Sequence, residues 1–288
     1  MTTKDKIELF WPLLEDLTDD EKSALIEKLR GSMKSAPADS ETKEQKKTAR
    51  TRKDPNRTVT EVRDHSDFTG VANQGCCDVT IKTGESFKVE VIGKQKSVDD
   101  VETTVRGGVL HIKTKSSSYG NSGATITING RTIISGSGDM TTPAKVNVIL
   151  PELTLCSGAG SGNISIDSPI RTGHDFSLTV SGSGDIKAKE IECAGINAAV
   201  SGSGNLRASQ IKAHGSASVS VTGSGDVNLQ NVDIDGHTEL RITGSGDIRI
   251  SGKAQEVNAS VVGSGDISGH LNYTTIRSRV MGSGNIRI

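Results

Sequence analysis

Seven side chains that could bind a cation or accept backbone protons recur at near-constant spacing: Asn163, Asp185, Asn205, Asp226, Asp247, Asp266 and Asn285. The steps between them are 22, 20, 21, 21, 19 and 19 residues. Each follows Gly-Ser-Gly and precedes an aliphatic residue, as in Gly223-Ser224-Gly225-Asp226-Val227. A stack of carboxylates could hold Ca²⁺, which gathers several hard oxygens around one ion. Asp226, Asp247 and Asp266, consecutive and all acidic, are the place for it. Calcium-binding β-rolls, however, use the nine-residue period GGxGxDxUx, which is absent here. One acid per coil is sparse, so no metal is expected. Turn chemistry accounts for the pattern more simply. An Asp or Asn oxygen accepts a nearby backbone N–H in an Asx turn. The glycine before it (Gly162, Gly184, Gly204, Gly225, Gly246, Gly265, Gly284) permits close backbone approach or φ > 0. Asn interspersed with Asp, together with N–H donors, would hold down charge repulsion in such a column.

Other chemistry-bearing residues are scattered. His174, His214 and His237 fall near one corner of their units and could align as metal ligands, with His214 and His237 the better pair. Solvated turn histidines are the simpler reading. Cys76, Cys77, Cys156 and Cys193 form no CxxC pair and have no zinc-ligand spacing with histidine, so they are read as structural. No P-loop, GxSxG or HExxH pattern occurs. A polysaccharide-active enzyme would need convergent acids and bases, and sugar-stacking rings. The repeat holds only Phe176 and Tyr273 as aromatics, and its acids are spread one per unit. The chain is therefore expected to be non-catalytic and without a cofactor.

The elements that would carry the ladder follow from the apolar beat. One unit has Ile186 and Ala188, then Ile191 and Cys193, then Ala198 and Val200. Another has Val227 and Leu229, Val232 and Ile234, Leu240 and Ile242. Period-two pairs separated by corners describe three short strands per unit. Three turns in about 20 residues close one coil, and coils that cannot bury a face alone must stack. The expected fold is mainly β: a right-handed parallel β-helix of about seven coils, three short strands per coil, with an N-terminal β region and a small α-helical hairpin. With 33 Gly and only 2% aromatic residues, the composition suits a core of repeated small layers. An eighth copy, Gly136-Ser137-Gly138-Asp139-Met140, precedes a strand (Val146 to Leu150) that does not fit the coil pattern, and is expected to be a loop.

Four segments are expected. Residues 1–33 read as a helical hairpin, with a capping box at Thr18-Asp19-Asp20-Glu21 and Gly31 as the terminating glycine. Phe10, Trp11, Leu14, Leu25 and Leu29 would form its docking face. Residues 34–57 read as a flexible basic linker with no Val, Ile, Leu or aromatic residue. Residues 58–156 form an N-terminal β region. It includes a hairpin of Ile126-Thr127-Ile128 and Ile133-Ile134 about Asn129-Gly130, the preferred type I′ pair. Residues 157–288 form the β-helix. Net charge is −1, so nucleic acid is not an expected partner. No span reaches about 18 apolar residues, so no membrane crossing is expected. Met1 to Asp5 show no signal pattern, which predicts a cytoplasmic chain. The last coil would expose unpaired backbone groups. A homo-oligomer is expected, through that coil or the N-terminal helices.

From about residue 60 to 288 the chain resembles the auto-transporter adhesin head (head GIN) domain family of bacteria. The matching residues are Phe68-Thr69-Gly70-Val71, Asp78-Val79-Thr80-Ile81 with Val89 and Val91, Gly108-Val109-Leu110-His111-Ile112, Leu150-Pro151-Glu152-Leu153 and the SGSGDI turns. The resemblance implies a β-helical fold and an adhesin-like binding role at the cell surface or in the periplasm. It supplies no catalytic residues. Unlike many members, this sequence shows no export signal or lipid anchor, and it adds the hairpin and basic linker. The expected function is a scaffold or binding module presenting a ladder surface to a protein or glycan. End-to-end self-assembly and a polysaccharide-active enzyme are the alternatives.

Overall fold

A computed structural model describes residues 57–115 and 142–288, and between them the backbone of strands β7 (Ile126–Ile128) and β8 (Arg131–Ile134). The hairpin expected over 1–33, the linker up to residue 56 and the glycine-serine copy at 136–140 lie outside the described residues. Strands β7 and β8 pair antiparallel, as the Asn129-Gly130 pattern predicts.

The fold is mainly β, a stack of turns wound into a solenoid. Its strands lie in three parallel rows. Row A runs through β3 (Asp78–Thr83), β11 (Ile164–Ile166), and the first parts of β14 (Ile186–Cys193), β16 (Leu206–Ala213), β18 (Val227–Gly244) and β19 (Ile248–Gly263). It ends in β20 (Ile267–Asn272) and β22 (Ile286–Arg287). Row B runs from β12 (Ile170–Arg171) through the second parts of β14, β16, β18 and β19. Row C runs through β2 (Gly70–Asn73), β10 (Leu155–Gly158), β13 (Phe176–Val180), β15 (Ile196–Val200) and β17 (Ala217–Gly223). It continues in the last parts of β18 and β19 and in β21 (Thr275–Gly282). In-register pairing places like side chains above one another at about 4.8 Å. Ile186, Leu206, Val227, Ile248 and Ile267 form one buried column, and Leu178, Ala198, Val219, Leu240 and Ala259 another.

The corners explain why the repeat length wanders. From the last inward residue of row C to the first of row A the step is always six: Val180 to Ile186, Val200 to Leu206, Val221 to Val227, Ile242 to Ile248, Val261 to Ile267. The other two corners absorb the insertions. Against β18, β19 drops one residue between Leu229 and Val232 and another between Ile234 and His237. That turns a 21-residue step into one of 19. The residue left out at the first of these corners corresponds to Asn231, which sits at φ 48° and donates its side-chain amide to the Ser209 carbonyl.

The described strands before residue 157, apart from β7 and β8, join the same sheet, out of sequence order. After β3 the chain forms β4 (Lys88–Lys94), the short helix α1 (Gln95–Asp99), β5 (Val101–Arg106), β6 (Val109–Thr114) and β9 (Lys145–Leu150). Strand β6 pairs in parallel beneath β2, and β9 beneath β3. The expectation that Val146–Leu150 stands outside the coil pattern is thus corrected. Val146 and Val148 lie in register with Val79 and Ile81, both pairs buried. The preceding insertion hides this in the sequence. Beyond β9 and β6 the parallel pairing gives way to antiparallel strands. Strand β4 lies against β9, β1 (Thr58–Arg63) against β4, and β5 against β6.

Two polar side chains interrupt the core. Asn73 occupies an inward row-C position, donating to the Cys77 carbonyl at 2.8 Å and accepting the Gly75 N–H at 3.1 Å, so it is satisfied by the corner it holds. Thr238, between Ala217 and Val257, is fully buried and its hydroxyl has no hydrogen-bond partner. An unpaired buried hydroxyl is destabilising, and valine has nearly the same shape. Thr238→Val is therefore expected to raise stability by about 1 kcal/mol. Urea unfolding would show a later midpoint at unchanged slope, and an earlier one would refute the reading.

Candidate functional site

The constant corner contains the acid and amide column, and the structure brings its members together. The backbone N–H of each residue donates to Oδ1 of its equivalent one coil below. Asp185 donates to Asn163 at 3.0 Å, Asn205 to Asp185 at 2.9 Å, Asp226 to Asn205 at 3.1 Å, Asp247 to Asp226 at 3.0 Å, Asp266 to Asp247 at 3.0 Å, and Asn285 to Asp266 at 2.7 Å. The next N–H along the chain points the other way: Val227 donates to the Asp247 carbonyl and Ile248 to that of Asp266. At the corner the ladder thus uses a side-chain oxygen where a straight strand uses a carbonyl. This differs from an Asx turn, in which donor and acceptor sit in one turn.

The chain of bonds starts one member earlier than the motif, at Asp78, whose Oδ1 accepts the Asn163 N–H at 3.0 Å. The reading of the sequence missed it because Gly75-Cys76-Cys77-Asp78-Val79 lacks the second glycine and lies 85 residues before Asn163. The signal was Gly-x-x-Asp-aliphatic, with the same six-residue step from Asn73 to Val79.

Electrostatics in the column are managed locally. Where Asn sits above Asp, its amide also donates to the carboxylate, as Asn205 does to Asp185 at 2.9 Å and Asn285 to Asp266 at 3.2 Å. Where Asp247 sits above Asp226, Arg249 reaches both, at 2.9 and 3.7 Å. Arg207 pairs with Asp185 at 2.8 Å. Partial burial pushes the Asp185 carboxyl up, but the two Asn205 donors and the Arg207 guanidinium outweigh it and hold it below the ordinary range. Among the described residues no group of three or more His, Cys, Asp or Glu is arranged to hold a metal ion. His214 lies between Glu192 and Asp235, at 3.4 Å from each, and His237 Nε2 accepts from the Asn258 amide at 3.1 Å. The His174 backbone N–H donates to the Thr172 hydroxyl.

None of the cysteines is paired. Burial pushes the thiols of Cys77 and Cys156 up to about 12 and that of Cys193 to about 11. Cys76 is half-buried. Iodoacetamide at mildly alkaline pH is therefore expected to modify Cys76 first in the folded protein and the other three only in denaturant. Equal rates at all four would contradict the core placement.

The three outer faces differ. On face B the outward column reads Arg171, Glu192, Lys212, Asp233 and Lys253, signs alternating from coil to coil. Glu192 meets Arg171 at 4.0 Å and Lys212 at 3.4 Å. Face A carries the acid column with Arg207 and Arg249. Face C carries short, mostly polar side chains over several coils: Ser177 and Thr179, Asn197 and Ala199, Ser218 and Ser220. Longer ones follow at Glu239 and Arg241, then Asn258 and Ser260, then Arg277 and Arg279. Two depressions mark this face. One, of about 510 Å³, lies beside Gly195, Gly215, Ser218 and His237. The other, of about 290 Å³, lies over Asn258 and Ser260. Glu239 lines both.

Solved structures from Bacteroides and Parabacteroides share the architecture. A “putative adhesin” from Bacteroides fragilis NCTC 9343 matches with a TM-score of 0.63 at 16% identity, covering 80% of this chain and 96% of its own. A “putative lipid binding protein” from Parabacteroides distasonis ATCC 8503 matches at 0.59 and 22%, with 80% and 96% covered. A “putative adhesin” from Parabacteroides merdae ATCC 43184 matches at 0.54 and 18%, with the same coverage. At these identities the likeness is one of fold. No curated protein matches the sequence. The family model described as “Putative auto-transporter adhesin, head GIN domain” matches residues 67–267 and 208–288, which between them take in every rung from Asp78 to Asn285, and the chain belongs to that family.

Proposed function

We propose that this chain is a non-catalytic binding module, a right-handed β-helix of about seven coils that presents face C to a glycan or protein partner. The observation that carries this reading is the contrast between faces. On faces A and B the long charged side chains dominate and several are engaged with neighbours in their own ladders (Arg171, Glu192 and Lys212; Asp185 with Arg207; Asp226 and Asp247 with Arg249), whereas face C offers a flat array of mostly short hydroxyl and amide groups. Strand pairing on both sides fixes that array before a partner arrives, so little entropy is lost on binding. The column carboxylates support a structural role, since each Oδ1 from Asp78 to Asp266 is engaged by a backbone N–H. Among the described residues no helix is long and apolar enough to cross a membrane. The family description favours the cell surface or periplasm and gives no support to the cytoplasmic setting expected from Met1 to Asp5. In this reading residues 1–33 and 34–57 serve as a docking hairpin and its tether.

A glycan array probed with the full chain tests the proposal. Ser218→Trp on face C is expected to abolish the hits, while Lys187→Ala on face A and Lys212→Ala on face B leave them in place. Hits indifferent to Ser218→Trp would assign binding elsewhere.

Self-association is a second reading, favoured by apolar side chains gathered on β21 and the coil beneath. Val280 is 42% exposed, Met281 51% and Val262 45%. Sedimentation velocity over a range of concentrations decides it: a single monomeric species throughout removes this reading.

A further inference from the structure

We propose that the smaller depression on face C binds a uronate, the carboxylate-bearing sugar of an acidic glycan. The proposal rests on the binding-module reading and names the ligand class of one part of that face.

The trough arises from side-chain length. On row C, Asn258 and Ser260 lie between Glu239 and Arg241 one coil below and Arg277 and Arg279 one coil above. Short residues flanked by long ones leave a channel along the strand, with Asn258 and Ser260 as floor and the arginines as walls. Its walls are unequally charged. Glu239 is the one acid lining it, and that carboxylate is held by Arg241 in an ion pair. Arg277 and Arg279 have no ion-pair partner among the described residues. Arg171, Arg207, Arg241 and Arg249 of the β-helix are each paired, whereas Arg287, like Arg277 and Arg279, has no ion-pair partner among the described residues; Arg277 and Arg279 are the two that stand together over a depression. Two free guanidiniums two residues apart on one strand face stand about 7 Å apart at their bases.

That arrangement selects a ligand. A guanidinium grips a carboxylate through two parallel N–H donors, which favours a planar carboxylate over a diffuse negative surface. The Asn258 amide and Ser260 hydroxyl on the floor match the hydroxyls of a sugar ring. No aromatic ring lines the trough, so neither a base nor a sugar ring is held by stacking and recognition falls to the guanidiniums and the polar floor. A volume of about 290 Å³ suits one or two sugar units rather than a folded protein. The second depression, which Glu239 also lines, gives a longer chain a further place to rest down the face.

The test uses the full chain and tetragalacturonate, with its methyl-esterified neutral form as the control, in titration calorimetry. Tetragalacturonate is expected to bind, and the neutral form to bind at least about tenfold more weakly. Arg277→Ala/Arg279→Ala should weaken tetragalacturonate by at least about tenfold, and added salt should weaken it too. Both arginines are exposed, so the fold should survive. Asn258→Trp, which fills the trough without removing charge, should have the same effect, and Lys253→Ala on face B should have none. The proposal fails if tetragalacturonate does not bind, if the neutral form binds equally well, or if neither trough variant matters. Arginine-dependent binding to phosphatidylglycerol vesicles without binding of tetragalacturonate would also overturn it, in favour of a lipid headgroup. A glycan-array hit that Ser218→Trp abolishes but the double arginine variant leaves intact removes the trough alone. Hits indifferent to every face-C variant remove both readings.

Discussion

Gly246→Ala is expected to destabilise the protein by about 3 kcal/mol or more, through a clash that no side-chain rotation relieves. A Cβ at Gly246 would lie 2.0 Å from the carbonyl oxygen of Gly225 one coil below and 2.9 Å from Cγ1 of Val221. The obstacle is backbone, and it is fixed from both sides. The Gly246 N–H donates to the Gly223 carbonyl at 3.1 Å, and the acid that follows is tied to the coils above and below. Moving the corner outward would break these bonds together. The preceding glycine adds a second constraint: a Cβ at Gly244 would lie 2.5 Å from the Gly223 carbonyl oxygen, and its φ of 133° is outside the range an L-residue adopts easily. Gly173 is the control, because a Cβ there meets nothing within 4 Å. Gly173→Ala should change stability by less than about 1 kcal/mol, in the stabilising direction if the unfolded chain loses freedom. Urea midpoints at constant slope compare the two variants. A Gly246→Ala midpoint close to wild type would mean that the coils are not in contact at this corner.

The repeat was legible because the corner that carries it cannot change length. Interlayer hydrogen bonds and close glycine contacts fix a six-residue step between the flanking aliphatics, so Gly-Ser-Gly-Asp survives as a readable string. The other corners gain and lose single residues, as at Asn231, and are read only through the apolar pairs. Where the string is degenerate the sequence became opaque. Asp78 takes part in the column with Cys77 in the place of the second glycine, and the strands beneath it are reached through a long excursion, so Val146 and Val148 looked unrelated to the coils. The direction of the Asp bonds was also hidden, since whether Oδ1 meets an N–H of its own turn or of the next coil depends on where the corner points its donors. The trough depended on register. Arg277 and Arg279 stand in a simple alternating stretch, and only when that stretch is stacked on Asn258 and Ser260 do their lengths and charges describe a site.

Replacing Asp185 separates the two jobs the column residues perform. Its Oδ1 accepts both the backbone N–H and the side-chain amide of Asn205, each at 2.9 Å, and its Oδ2 accepts Arg207 at 2.8 Å. Asp185→Ala strands two donors at a half-buried corner that water reaches in part, so a loss of about 2 kcal/mol is expected. Asp185→Asn keeps an oxygen for the Asn205 N–H and gives up the charge. The exposed pair with Arg207 contributes at most about 1 kcal/mol, so this variant should lose less than half as much. Acid tells the two contributions apart. A carboxyl held below its ordinary value in the fold binds protons less readily folded than unfolded, so falling pH favours unfolding. The stabilisation from the charge is complete above the ordinary carboxylate value of about 3.9 and fades as pH drops through the lower folded value. Asp185→Asn has no such component. The gap between wild type and Asp185→Asn should therefore shrink in acid, while most of the gap between Asp185→Asn and Asp185→Ala, which reflects an uncharged acceptor, persists. A wild-type-to-Asn gap that stays constant from neutral pH down through the carboxylate range would show that the charge at Asp185 adds nothing, and that the column is held by its hydrogen-bond geometry alone.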